Sequence, residues 1–225
     1  MSYIYVKPAD IEAESMKTIS RELAEKKITI PEEELPVVRR VIHTTADFDY
    51  AENLYFTKGV VPKAVALLKQ GGFTIITDTN MAKSGISRPS LKKLNGSAVC
   101  YMADPAIMRA AKEEGTTRAA VSMRHGAEEH PDAIFAVGNA PTALIELSRR
   151  IREGLRPSLI VGVPVGFVNV CESKEELIET CEEAGVPAIV ARGRKGGSNV
   201  AASIMNALLY SATGMLDPKK RDWMK

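Results

Sequence analysis

The chain has 225 residues, of which 45% are hydrophobic and 26% are charged, so its composition is that of a soluble globular protein rather than a disordered or fibrous one. Lysine and arginine total 30 against 28 aspartates and glutamates, and the net charge of +2 lacks the basic excess of a dedicated nucleic-acid binder. No apolar stretch approaches the roughly 20 residues that span a bilayer, so neither a nucleic acid nor a membrane is an expected partner.

The first 72 residues are predicted to be mainly helical. A helix that begins at Pro8 carries a largely apolar stripe of residues spaced four apart, namely Ile11, Ser15, Ile19 and Leu23. Two further helices are predicted over residues 36–42 and over residues 60–70, and the second of these ends at Gly71.

Residues 73–214 are predicted to alternate between strands and helices. Short runs rich in valine, isoleucine and alanine occur at residues 73–77, 98–102, 119–122, 133–137, 159–161 and 188–190. Helical periods follow most of them, at residues 105–114, 142–153 and 199–213, and a capping box at residues 173–176 predicts a further helix that ends at Gly185. This alternation indicates a mainly parallel sheet covered by helices on both faces, and we expect one domain over residues 1–225.

The three cysteines show neither the Cys-x-x-Cys nor the Cys/His spacing of a structural zinc site. Cys171 has no neighbouring histidine in the sequence, so an inert thiol is favoured over a nucleophile. The first eight residues lack the charged region and apolar core of a signal peptide, and we expect a cytoplasmic protein with reduced thiols.

Two loops follow predicted strands at the edge of the sheet where ligands bind in such folds, at residues 138–142 and 192–199. Glycines and exposed N–H groups at a helix start favour an anion, so the loops indicate a carboxylate or phosphate site. Tight turns with solvated arginines explain the same pattern equally well. Neither loop matches the Gly-x-x-x-x-Gly-Lys-Ser/Thr or Gly-x-Gly-x-x-Gly signature, which argues against nucleoside triphosphates and dinucleotides.

His43 follows Arg40 by three residues, so on a helix the two side chains share the face opposite the apolar stripe of residues 37, 38, 41 and 42. One interpretation is an ordinary solvent-facing surface. The other is a cleft lined by Arg40 and His43, in which the negative helix end favours the imidazolium form of His43 while Arg40 opposes it.

Several segments carry a resemblance that extends along nearly the whole chain. They are Ile11-Glu12-x-x-Ser15, Arg40-Val41-Ile42-His43, Asp78-x-x-Met81-x-x-x-Gly85-Ile86-Ser87-Arg88, Gly115-Thr116-Thr117-Arg118, Gly138-Asn139-Ala140-Pro141-Thr142-Ala143-Leu144, Gly162-Val163-Pro164-Val165-Gly166-Phe167-Val168 and Arg192-Gly193-Arg194-Lys195-Gly196-Gly197-Ser198. In this order they resemble the precorrin-8X methylmutase family.

The resemblance implies a flavodoxin-like, three-layer α/β/α fold with a mainly parallel five-stranded sheet and an added N-terminal helical segment, and it implies a homodimer. The implied reaction is the intramolecular migration of a methyl group from C-11 to C-12 of precorrin-8X or cobalt-precorrin-8, which gives hydrogenobyrinate or cobyrinate in cobalamin biosynthesis. It uses no cofactor and no metal held by the protein. The family's catalytic histidine corresponds to His43, its substrate-contacting residues to Ser15 and Arg40, and other pocket-lining positions to Ser87 and Arg118.

The chemistry of such a substrate agrees with the residues. A flat, largely apolar macrocycle with many carboxylates needs apolar walls and spread-out cationic or N–H donors. Such donors are expected from Arg40 and from the following residues: Arg118, Gly138, Asn139, Arg194 and Lys195. Protonation of the ring system would ease the migration, so His43 is predicted to be the general acid.

Two other functions fit the sequence. A non-catalytic tetrapyrrole carrier would need the same pocket. A flavodoxin-like protein that binds a flavin or a phosphorylated metabolite would fit the predicted sheet alone.

Overall fold

A computed structural model of the chain describes residues 8–221. The prediction made from the N-terminal residues, that they form no signal peptide, therefore lies almost wholly outside the described residues. Within residues 8–221, no helix combines the length and the apolar character needed to cross a bilayer.

The sheet has six strands: β1 (Leu54–Phe56), β2 (Thr74–Thr77), β3 (Ser97–Val99), β4 (Ile134–Val137), β5 (Leu159–Gly162) and β6 (Ala188–Ala191). Their order across the sheet is β1-β6-β5-β4-β2-β3. Strands β2 to β6 are parallel, and β1 pairs antiparallel with β6 through the register Leu54–Ala191, Tyr55–Val190 and Phe56–Ile189.

Eleven α-helices surround this sheet in the described chain: α1 (Pro8–Glu25), α2 (Leu35–Thr45), α3 (Tyr50–Asn53), α4 (Val60–Gln70), α5 (Asn80–Gly85), α6 (Arg88–Lys93), α7 (Pro105–Glu113), α8 (Arg118–Glu129), α9 (Pro141–Arg152), α10 (Val170–Ala184) and α11 (Ser198–Thr213). A 3-10 helix spans Pro218–Lys220. The helix predicted over residues 60–70 is confirmed at both ends. It begins at Val60 and ends at Gln70, and the following Gly71 caps it with a positive φ of 77°.

The core has two layers, one on each face of the sheet. Alternate residues of β4 point to opposite faces: Ile134 and Ala136 join the core under α1, α2, α4 and α11, whereas Phe135 and Val137 join the core under α8, α9 and α10. The predicted arrangement of a mostly parallel sheet with helices on both faces is therefore confirmed.

The predicted strand count of five is wrong, because the antiparallel strand β1 adds a sixth. This strand has only three residues and follows directly after α3, too short for strand periodicity to show. The predicted strand at residues 119–122 is also wrong, since these residues lie in α8. Thr117 caps that helix by accepting a hydrogen bond from the Ala120 N–H, and Ala119, Val121 and Ser122 are among its buried residues.

The predicted capping box at residues 173–176 is wrong as well. Helix α10 begins three residues earlier, at Val170, with Asn169 as its N-cap in the left-handed region at φ 56°. Ser173 lies inside the helix, and its hydroxyl donates to the Val170 carbonyl at 3.1 Å. Lys174, the next residue, is fully buried.

Candidate active site

A cavity of about 360 Å³, open to solvent, lies between α2, α5 and α11. It is lined by Arg40, His43, Thr44, Gly85, Asn199, Ala202, Ser203, Asn206 and Tyr210. Helix α11 packs against both α2 and α5 and therefore forms the long wall of the cavity. Of the two interpretations of Arg40 and His43, the structure supports the cleft.

His43 lies in the last turn of α2, half-buried, with its Nδ1 at 2.7 Å from the Ser15 hydroxyl of α1. When Ser15 donates to Nδ1, a neutral imidazole carries its own proton on Nε2. The Ser15 hydroxyl can equally accept from an Nδ1–H, so the contact orients the imidazole ring through Nδ1 and leaves Nε2 for a ligand. The apolar stripe predicted for α1 brings Ser15 to α2, because Ile19 and Leu23 pack in the core beside it.

The environment of His43 lowers the pKa of its imidazole below the usual 6.5. Burial is the largest cause, Arg40 and Arg221 lower the pKa further by charge repulsion, and Glu12 raises it. The predicted opposition from Arg40 is confirmed, and together with burial it makes the net shift favour the neutral imidazole. At neutral pH the imidazole is mainly uncharged.

Arg40 is buried beside His43 and is held by a carboxylate that the sequence analysis assigned no role. Its Nη2 lies 2.5 Å from Glu12 Oε1, and its guanidinium carbon lies 5.2 Å from the centre of the Tyr210 ring. Arg221 makes a two-bond contact with the same carboxylate and lies 4.1 Å from the same ring. Two cations thus share one anion and one aromatic ring at the cavity wall.

Ser87 lies next to the cavity wall rather than in it. It caps α6 by accepting a hydrogen bond from the Ser90 N–H, and its own N–H donates to Asn206 Oδ1 at 2.8 Å. Asn206 lines the cavity, and its Nδ2 donates to the Gly85 carbonyl at 2.8 Å. Ser87 therefore reaches the cavity through Asn206.

The N–H groups of the loop after β4 are already occupied. Those of Gly138, Asn139 and Ala140 donate to the buried Asp78 carboxylate at 2.8, 2.7 and 2.8 Å. Burial raises the pKa of Asp78, and these three hydrogen bonds, with a fourth from the Asp78 backbone, lower it by less. The expectation of N–H groups exposed to an anion is thus wrong here. Gly138 serves packing instead, because a Cβ there would lie 2.6 Å from the Cα of Ser198, at the start of α11.

The remaining predicted residues lie outside the cavity formed by the described residues. Arg118 is exposed at the first position of α8. Arg194 is exposed, with its guanidinium 5.5 Å from the Phe167 ring. Lys195 binds Asp47 and Asp49, each at 2.6 Å. The structure therefore brings Ser15, Arg40 and His43 together and leaves the loop cations apart from them.

The buried side chain of Lys174 anchors the glycine-rich loop after β6, residues 192–199. It is fully buried, and its Nζ donates to the carbonyls of Gly193 and Lys195 at 2.7 and 2.9 Å. Burial lowers the pKa of its ammonium to about 8, an effect that Cys171 and Glu175 oppose. Arg194, between the two carbonyls, is thus carried on an anchored backbone.

Comparison of the sequence with known proteins shows which family the chain belongs to. The CbiC family model, described as precorrin-8X methylmutase, matches residues 10–211. The chain belongs to the precorrin-8X methylmutase family. Its members are isomerases of cobalamin biosynthesis, and the resemblance inferred from the motifs is confirmed.

Individual relatives agree with the family assignment along nearly the full length of this methylmutase. It is 43% identical to the cobalt-precorrin-8 methylmutase of Salmonella typhimurium over 93% of this chain and 98% of that protein. It is 40% identical to the corresponding protein of Priestia megaterium over 90% of this chain and 88% of that one. The crystal structure of precorrin-8X methylmutase from Thermus thermophilus superposes with a TM-score of 0.79 at 37% identity and covers 91% of this chain and 98% of that one.

The sequence alone did not reveal the roles of several residues of this methylmutase site, for different reasons. Glu12 and Asp78 stand in two of the quoted family segments, so their positions were marked although no role was assigned. Tyr210 and Arg221 stand in none of these segments. Arg221 contacts Glu12 across 209 positions of sequence, and no local pattern predicts such a contact.

Proposed function

We propose that this methylmutase moves a methyl group from C-11 to C-12 of precorrin-8X or cobalt-precorrin-8, giving hydrogenobyrinate or cobyrinate, with His43 as the general acid. The observation that carries the proposal is the convergence of Ser15, Arg40 and His43 at one cavity in a chain of this family. The fold does not determine the chemistry, whereas this grouping supplies an acid, a residue that orients it, and a cation.

The proposed division of labour follows from the contacts. Ser15 orients the imidazole, and His43 donates a proton to the conjugated ring system of the substrate. The bond from the methyl carbon to C-11 breaks as the bond to C-12 forms, so no bond to the protein is made and no electron acceptor is needed. Because substrate and product are isomers, the ring system then gives up a proton, and the neutral imidazole of His43 accepts it, which restores the acid for the next turnover. Arg40 uses one nitrogen on Glu12 and keeps other N–H donors for a substrate carboxylate.

Substrate binding would also raise the pKa of His43. The unliganded site lowers the pKa of His43, which makes its imidazolium a stronger acid but a scarce one at neutral pH. Carboxylates of a bound tetrapyrrole bring negative charge to the cavity, and negative charge raises the pKa of an imidazole. His43 is then protonated in the complex with substrate, where it acts as the acid. A positioned acid contributes about 10²- to 10⁴-fold in rate.

The test is an absorption assay with precorrin-8X and cobalt-precorrin-8 in parallel. Wild-type protein should change the spectrum of at least one, and His43→Ala should lower kcat by about 10²- to 10⁴-fold. His130→Ala, at the end of α8 on the other face of the sheet, is the matched control and should keep the wild-type rate. Conversion by His43→Ala at the wild-type rate would contradict the role of His43. Binding by the wild type without any spectral change would favour the carrier function.

The other predicted residues are proposed as outer contacts for substrate carboxylates: Ser87, Arg118, Gly138, Asn139, Arg194 and Lys195. What supports this for Arg118 and Arg194 is their exposed cationic side chains. Lys195 must first give up Asp47 and Asp49, and Gly138 and Asn139 can contribute only atoms other than the N–H groups held by Asp78. We expect these residues to affect KM rather than kcat.

The proposal extends to the form of the molecule, with one domain over residues 1–225 that assembles as a homodimer. A flavodoxin-like class for the parallel strands is supported by their order β3-β2-β4-β5-β6, which is 2-1-3-4-5 when counted from β2. A dimer is supported by large apolar side chains left exposed, including Phe167, of which 83% is accessible, Val168 and Met81. Sedimentation equilibrium of the full chain should give twice the monomer mass of 24.4 kDa.

A further inference from the structure

The carboxylate of Glu12 is the junction of the charged cluster beside the cavity. Its Oε1 accepts from Arg40 Nη2 and, at 2.9 Å, from Arg221 Nη2, and its Oε2 accepts from Arg221 Nη1 at 2.7 Å. Only 13% of the Glu12 side chain is accessible. Among residues 8–221, Glu12 is the one ion-pair partner of Arg40.

Arg221 is fixed independently of Glu12, whereas Arg40 is not. The Nε of Arg221 donates to the Met215 carbonyl at 2.9 Å, and its Nη2 reaches the Leu216 carbonyl at 3.3 Å. The guanidinium of Arg40 has Glu12 and the ring of Tyr210 as its contacts in the described chain. Without the carboxylate, two buried guanidiniums beside one ring would repel each other, and the less restrained one would move.

We propose that Glu12 is a positioning residue for the reaction: it holds the Arg40 guanidinium against Tyr210 at the cavity wall, and it offsets the positive charge that faces His43. This inference rests on the proposed function of the cavity, and it adds a residue that itself does not line the cavity. Glu12 therefore acts through Arg40 and His43.

The charges that face His43 come from three elements. Arg40 precedes it on α2, Glu12 faces it from α1, and Arg221 faces it from the segment after α11. The His43 imidazole contacts the uncharged Ser15 hydroxyl. Apart from Arg40, the other polar residues that line the cavity are uncharged, namely Thr44, Asn199, Ser203, Asn206 and Tyr210. Among the residues that the structure describes, Glu12 is thus the one acidic group that acts on His43 against two cations, and it raises the pKa of His43 while both cations lower it.

The experiment is an NMR titration of the histidine side chains in the ligand-free full chain, with the His43 signal assigned by its loss in His43→Asn. Glu12→Gln keeps the shape of the side chain and removes its charge, so the titration midpoint of His43 should fall by about one pH unit. Arg221→Gln removes a positive charge and should raise the midpoint. A loosened cluster would expose the imidazole and move both variants upward, so opposite signs separate charge from structural damage.

A matched control is available on the other face of the sheet. Glu146 of α9 has 12% of its side chain accessible and makes two bonds to Arg149, at 2.7 and 3.1 Å. Glu146→Gln should leave the midpoint of His43 and the kinetic constants unchanged. An unchanged or raised midpoint in Glu12→Gln would overturn the proposal.

Steady-state kinetics supply the second measurement. Glu12→Asp keeps the charge but shortens the side chain, so the midpoint of His43 should stay near the wild-type value while KM rises as Arg40 loses its contact. Glu12→Gln should change both KM and the pH profile. A normal KM in both variants would overturn the positioning role. The titration needs no turnover, so it remains informative even if the assays contradict catalysis at His43.

Discussion

Two buried cationic centres of this methylmutase are balanced in different ways. At the cavity, Arg40 and Arg221 share the carboxylate of Glu12, so charge meets opposite charge. Under the glycine-rich loop, Lys174 donates to two backbone carbonyls, and no carboxylate contacts its ammonium in the described chain. In the first arrangement, hydrogen bonds from the two arginines outweigh burial and hold the pKa of Glu12 below its usual value, whereas burial lowers the pKa of Lys174 to about 8. Ion pairs therefore stabilise the buried charges at the cavity, whereas the dipoles of two backbone carbonyls hold Lys174 under the loop.

The largest expected effect comes from removal of the shared carboxylate. Glu12→Leu leaves two buried guanidiniums unpaired and should lower the free energy of unfolding by about 3 kcal/mol, at the low end for a broken buried ion pair because Glu12 is partly accessible. Denaturant unfolding at pH 7 measures the loss. Glu146→Leu, which breaks a pair with the more accessible Arg149, should cost about 1 kcal/mol or less. Equal losses in the two variants would contradict the distinction.

A smaller effect, which grows with pH, is expected at Lys174. In Lys174→Met two carbonyls lose their donor while the burial cost of the ammonium disappears, so the loss at pH 7 should be about 1 kcal/mol. The folded pKa of about 8 lies below the usual 10.5, so between these values the folded chain binds fewer protons and the wild type gains stability as pH rises.

The gap between wild type and Lys174→Met should therefore widen from pH 8 to pH 10.5. Parallel denaturant unfolding curves at several pH values measure it. A constant gap over this range would mean that the Lys174 ammonium carries no burial cost. The Glu12 cluster follows the same direction in a lower pH range: burial raises the pKa of Glu12, but hydrogen bonds from its arginines outweigh burial and hold that pKa below 4.5. The stability from this cluster is therefore present above pH 4.5 and is lost as pH falls below it.

The smallest effect is expected on the outer side of the same loop. Lys195 contacts Asp47 and Asp49 at the surface, where water and salt screen the charges. Lys195→Met should leave the thermal midpoint of unfolding unchanged within error, while KM rises if Lys195 contacts a substrate carboxylate. A large drop in the midpoint would show that the loop depends on this surface pair rather than on Lys174.

The fold could be predicted from the sequence where the signal is local. The bounds of α4 follow from an apolar period and a glycine end, and the parallel sheet follows from alternating apolar runs and helices. The run at residues 119–122 could not be assigned because a few buried apolar residues fit a helix and a strand equally well. Strand β1 could not be predicted because it forms by pairing with β6, which lies far away in the sequence, as in the Tyr55–Val190 pair.

The site was predictable to the same extent. Spacing on α2 put Arg40 and His43 on one face, and the family segments supplied Ser15. The balance of charge around His43 was not predictable, because Glu12 and Arg221 meet only in the folded chain and together with burial decide the sign of the pKa shift. Likewise, the acceptor of the loop N–H groups after β4 proved to be Asp78 of the chain itself.

The most direct test of the central claim is the pH dependence of kcat/KM compared with the NMR titration of His43. If His43 is the general acid, kcat/KM should fall with rising pH at a midpoint equal to that of His43 in the unliganded protein, below 6.5, and kcat should persist to higher pH. Both midpoints should move down together in Glu12→Gln. A kcat/KM profile with no descending limb at the His43 midpoint, or one that stays in place in Glu12→Gln while the NMR midpoint moves, would contradict the account.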